Sequence, residues 1–371
     1  MKFRFLLLSL FFLCSFSTFA QSSGDYRSLN SGTWESAGNW QRFTTAWGTA
    51  PSAPTSADGV ITIQSSHSLT INGSRSIDET IINSGGTVQV NSGILTIDDG
   101  TGTDLDILGT MLWVNGALLT VNIGALVTGP SANVFYRGAT MINNGIINVN
   151  LFGMQPDPGA QTISGVGSFS NLTIGNSNGV TLGGDQTITT LLNFNSGLLI
   201  TGPNKVIITT TGSIQDNSGG QNLFVNGNLQ MNYNTGLSTK TFRIGDASGL
   251  RSVDATLNAS VGGGMVISTS TGENPNIGTS SLQPSKSVNR SWKMTNVGLL
   301  FSNSFITFRW TAGEVDGGAN TANFVAGRFA SSLWSYPSIL SQTSTSIQTQ
   351  GIATFATSSF AVAENCTPTG Q

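Results

Sequence analysis

The residues best able to do chemistry in this chain are a few acids set among glycines. In IDDGTGTDLDI, residues 97–107, Asp98, Asp99, Asp104 and Asp106 surround two glycines. A hard cation takes its oxygen ligands from carboxylates and turn carbonyls, and DGTGTD has the make-up of one calcium-binding nonapeptide unit. Such units bind ions in succession and this chain carries no second copy, so the run reads either as a calcium site at these four acids or as a polar turn. Polysaccharide cleavage needs two carboxyls a few ångströms apart, or a calcium cluster with a base on one groove face. Asp157, Asp185, Asp216, Asp246 and Asp254 lie in separate turns, and Arg75, Arg137, Lys205, Lys240, Arg243 and Arg251 are as scattered. Asp185 and Asp216 have the spacing that would set them one coil apart, which makes them the catalytic candidates. His67 is the only histidine. A His-rich metal centre is therefore excluded, and any Ser-His-Asp triad would depend on that one residue.

Aromatic rings stack on sugar faces, and two groups could do so. One is Trp34, Trp40 and Trp47 near the N-terminus; the other is Trp310, Trp334 and Tyr336 near the C-terminus. Core packing is the competing role for each. Thr-rich VIITTTGS, residues 206–213, does not repeat as an ice-binding array would. No glycine-rich loop follows a strand and opens a helix, so a nucleotide fingerprint is missing. A net charge of −3 likewise lacks the footprint of a nucleic-acid binder.

The elements that must position these residues are short strands. VITI (60–63), LTI (69–71), TVQV (87–90), LTI (95–97), LDI (105–107) and LTV (119–121) alternate apolar and polar residues with a period of two, which buries one face of each. Asn, Gly and Asp between them favour tight turns. The bursts are too short for helices and too regular for disorder. They predict an all-β chain, a right-handed parallel β-helix over residues 58–270, with coils of about 20 to 27 residues, roughly eight to ten of them, and a rod on the order of 40 to 50 Å long. An open end of such a rod exposes its bore, so residues 21–57 are expected to form a Trp-rich cap with Trp34 and Trp40 buried. Residues 271–287 read as a Pro, Gly and Ser-rich linker. The longer, more aromatic runs of 288–364 read as a small antiparallel β-sandwich, with 365–371 beginning a further linker or domain. At the front, Lys2 and Arg4, the apolar run Leu6 to Phe16 and the small-residue end Thr18-Phe19-Ala20 form a secretory signal over 1–20. Its removal takes Cys14 with it and leaves Cys366 without an internal disulfide partner. No later segment is long enough to span a membrane.

The run SGTWESAGNW followed by PTSADGVITI, with Gly32, Trp34, Trp40, Pro54, Asp58, Val60 and Ile63, resembles the start of large secreted surface proteins of the Bacteroidetes. In those, a Trp-x(5)-Trp segment and a Pro-x(3)-Asp-x-Val step lead into Gly-rich β-helical repeats. VNRSWKMT (288–295), SLWS (332–335) and FATSSFAVAE (355–364) are similar to the β-sandwich module that follows there. The resemblance implies an extracellular or outer-surface location, further domains of a longer chain, and type IX secretion, although no sorting domain is visible in this sequence. The expectation is a non-catalytic stalk or adhesive protein whose partners are extracellular glycans or cell-surface components. A polysaccharide-active β-helix enzyme or its binding module is the alternative.

Overall fold

The computed structural model describes residues 21–114, 116–156 and 159–366. The expected leader at 1–20, Asp157 and the tail beyond Cys366 lie outside the described residues. The rest is all-β, 59% strand and 3% helix, wound into a β-solenoid of about nine turns that leads into an antiparallel β-sandwich.

Each coil contributes strands to three faces. On the first face Ile61 lies beside Thr80, Thr80 beside Leu105 and Leu105 beside Val127, so successive coils use 19, 25 and 22 residues. On the second, Leu69 stacks on Val88 and Val88 on Met111. On the third, Ile77, Ile97 and Val121 form one column. The period-two alternation sends these side chains inward, where they are buried in a core that runs continuously from Tyr26 to Val362. Amides occupy the inner corners. Gln161 donates to the carbonyl of Gly138 at 2.8 Å, and Asn143 donates to the Gln186 side chain at 3.2 Å, so these buried groups remain paired. At one corner the coils approach so closely that a Cβ on Gly197 would fall 1.9 Å from the Asn176 carbonyl, and its φ of +72° already lies in the left-handed region.

Residues 21–57 close the first end. Tyr26–Ser28 and Gly32–Thr33 pair in parallel with the first full coil. Trp40–Phe43 then runs antiparallel to Tyr26–Ser28. Trp34 and Trp40 have no exposed surface, meet edge to face at 4.7 Å, and donate their indole N–H groups to the carbonyls of Pro54 and Trp34. These rings are core, and the segment is itself a short coil with a hairpin folded over it.

The far end differs from expectation. The last long rung, Val225–Tyr233, pairs antiparallel with Gly263–Thr271, which continues through Arg290–Val297 to Thr357–Asn365 and Phe324–Ala330. One sheet therefore passes from solenoid into sandwich without a break. The second sheet orders Gly236–Phe242, Val253–Val261, Leu300–Arg309, Ser346–Gln350 and Ser338–Thr343. The sandwich thus begins near residue 236, not 288, and the supposed linker 271–287 holds the strand Leu282–Ser287 with Ile277 and Leu282 buried. Period-two alternation in VDATLNASV looks the same in parallel and antiparallel strands, so it does not mark the boundary. Among the described residues no helix is long and apolar enough to cross a membrane. Cys366 is an exposed free thiol.

Candidate functional site

Of the four acids of 97–107, Asp98, Asp99 and Asp104 lie in the turn between the strands Ile94–Ile97 and Leu105–Ile107, and Asp106 stands within the second of these strands. Asp98 accepts from Ser76 and from Asn122 at 2.7 Å. Burial disfavours its charge, but hydrogen bonds from Ser76, Ser56 and Asn122 outweigh it and hold the carboxyl below its ordinary range. Asp99 is exposed against Gly124 of the next coil, and Asp106 accepts from Thr128 at 2.9 Å. Asp104 is buried and accepts from the backbone N–H groups of Gly100 and Leu126 at 2.8 and 2.5 Å. Its other neighbour, Asp78 of the preceding coil, was not among the sequence candidates. Burial and a hydrogen bond with Asp104 push Asp78 up to about 7, so Asp78 keeps its proton well above the pH at which a free carboxyl ionises. Gly100 lies over this pair, where a Cβ would come within 2.1 Å of the Asp78 carboxylate. Among the described residues no three His, Cys, Asp or Glu side chains converge as a metal site would require.

Asp185 and Asp216 are not brought together. Asp185 precedes the strand Gln186–Phe194, whereas Asp216 pairs in register with Phe194 at its other end, on another face. Asp185 holds Lys205 of the next coil, Nζ to Oδ2 at 3.1 Å. Asp216 is bridged to Arg243. His67 bonds through Nδ1 to Ser28 Oγ at 2.8 Å and so ties the first coil to the cap. Trp310 is buried, its N–H donating to the Ser344 carbonyl at 3.0 Å. Trp334 and Tyr336 pin the segment 277–281 to the sandwich, through Thr279 at 3.0 Å and the Ser281 N–H at 2.8 Å.

Among the described residues, the largest ionic cluster lies where the last coil meets the sandwich. Arg290 has no exposed surface and bonds to Glu314 at 2.6 Å and Asp246 at 3.1 Å, while Arg251 bonds to Glu314 at 2.8 Å. Burial opposes ionisation of both acids. Hydrogen bonds outweigh it, from Arg290, Ser248 and Thr271 at Asp246 and from Arg251, Arg290 and the Thr311 N–H at Glu314. Both carboxyls are held well below the usual range and are poor general acids or bases at neutral pH. The cluster is a joint.

A polar surface lies on the outer side of the shared sheet. Two depressions of about 270 and 260 Å³ adjoin there, with Ser268 and Lys293 common to both. The register explains the alignment. Asp185 stands beside Lys205, Lys205 beside Asn228, and the antiparallel pairing then sets Ser268, Lys293 and Ser359 in the same line. Six neighbouring strands thus contribute one outward residue each, a row on the order of 25 Å across. Phe329 pairs with Ser359 and extends the row to Trp334, whose ring lies 5.2 Å from the Phe329 ring. Of the five lysines in the chain two stand in this row, and Lys293 is exposed with no ion-pair or hydrogen-bond partner among the described residues. Ser270 and Ser291 are bonded to each other at 3.0 Å, and Asn274 donates to Ser359 at 2.8 Å. Such a groove offers hydroxyls, amides and a free ammonium. Sequence reasoning missed it because its members are scattered from 185 to 359; the scarcity of lysine was the only signal.

No family model matches the chain, and no curated protein or solved structure matches it.

Proposed function

We propose that this chain is a secreted, non-catalytic element of the outer cell surface, a rigid stalk that meets extracellular glycans through the hydroxyl-lined groove at its sandwich end. The observation that carries this reading is the unbroken sheet from solenoid to sandwich. It gives a rod without a hinge at the join, and the buried Arg290–Glu314–Asp246 cluster stiffens the same place. Support for a non-catalytic role comes from Asp185 and Asp216, which stand on different faces and are each held by a base from a neighbouring coil. The leader pattern at 1–20 and the resemblance of the Trp-rich start to Bacteroidetes surface proteins support export.

The experiment pairs surface labelling of the full chain in its own cells with retention of the purified protein on insoluble polysaccharides. Labelling of intact cells and retention without release of soluble oligosaccharide is the expected result. Release of oligosaccharide from the matrix would replace the stalk reading with the enzyme reading.

A further inference from the structure

Resting on the reading of a glycan-contacting stalk, we propose that the groove across the shared sheet is a subsite for an acidic polysaccharide, with Lys293 and Lys205 receiving sugar carboxylates. The chain is slightly acidic as a whole, yet this groove holds two ammonium groups against one carboxylate, that of Asp185. Asp185 is already engaged by Lys205, through both its Nζ at 3.1 Å and its backbone N–H at 2.9 Å. Lys293 is left as the uncompensated charge, and it sits at the junction of the two depressions.

The geometry suits a polymer better than a compact anion. A small anion would need converging donors, whereas here the polar residues form a line, one per strand. Strand spacing sets the interval between neighbours at about 4.8 Å, comparable with the rise of one sugar ring in an extended chain, and it sets Lys205 and Lys293 three spacings apart, on the order of 14 Å. Carboxylates borne at intervals along an extended chain match that separation. Ser268 and Ser359 supply hydroxyls for ring hydroxyls, and Asn228, whose amide nitrogen donates to the carbonyls of Gly202 and Asn204, supplies its amide oxygen. The Phe329 and Trp334 rings close the row where a sugar face would rest.

The test is affinity electrophoresis of the full chain through gels containing alginate, esterified alginate or dextran, with Lys293→Gln and Ser268→Trp variants alongside. Lys293 is exposed and unpartnered, so its neutral replacement leaves the melting temperature unchanged and the binding readout clean. The expected result is retardation by alginate that weakens with added salt and falls at least tenfold in both variants, with little retardation by the ester. Equal retardation by alginate and its ester, or an unaffected Lys293→Gln variant, overturns the acidic subsite while glycan contact stands. Retardation by none of the three polymers overturns the subsite and counts against the glycan reading itself.

Discussion

Individual side chains give this protein two opposite responses to pH. The Asp78 carboxyl, pushed up to about 7 from 3.8, binds its proton more tightly in the folded chain than in the unfolded one. The stability it contributes is complete below about pH 4 and is lost as pH rises towards 7. Asp246 and Glu314 are depressed instead, so their contribution is present above the ordinary carboxylate range and lost as pH falls through their folded values. The melting temperature should therefore peak at mildly acidic pH. Asp78→Asn keeps an acceptor for the Glu79 N–H and supplies a donor to Asp104. It is expected to flatten the decline between pH 5 and 8 and to leave the acid limb in place; melts across that range check it, and an unchanged slope would show that the ionisation of Asp78 does not set it. The cluster of acids at 97–107 was legible as a group, but its partner was not. Asp78 lies 26 positions before Asp104, and only the stacking of coils sets them together.

Elements show where reading a pattern succeeds and where it stops. Alternation in VITI, TVQV and LDI identified strands, their buried members and the need for a cap, because each of those follows from one face meeting a core. It could not say whether a strand's neighbour runs parallel or antiparallel, and so the sandwich strands at 236–270 were taken for coils. What fixes them is a long-range contact, the pairing of Val225–Tyr233 with Gly263–Thr271. The Arg290 cluster locks that contact. Replacing Arg290 by Met leaves Asp246 and Glu314 with too little positive charge in a buried place, at a cost of about 3–5 kcal/mol. Denaturant unfolding of that variant should split into separate solenoid and sandwich transitions, and a single transition at the original midpoint would refute the joint.

On the scale of the whole molecule, the first face of the solenoid ends in an antiparallel strand on both sides, Trp40–Phe43 at one and Gly263–Thr271 at the other. An antiparallel neighbour satisfies the edge groups but cannot seed another coil, so end-to-end stacking along this face is blocked. The coils between these two stops contact only their neighbours. Val127 pairs with Ile147, so residues 127–146 amount to one coil. Removing them should shorten the rod by about 4.8 Å and duplicating them should lengthen it equally, with both ends unchanged. Small-angle scattering on the three lengths would register the steps, and a collapsed or aggregated variant would contradict them. The two stops thus separate how far the protein reaches from what it carries at its tips. A lineage could copy or delete coils to set the length of the rod, and the sandwich end with its groove would arrive at the new distance already built.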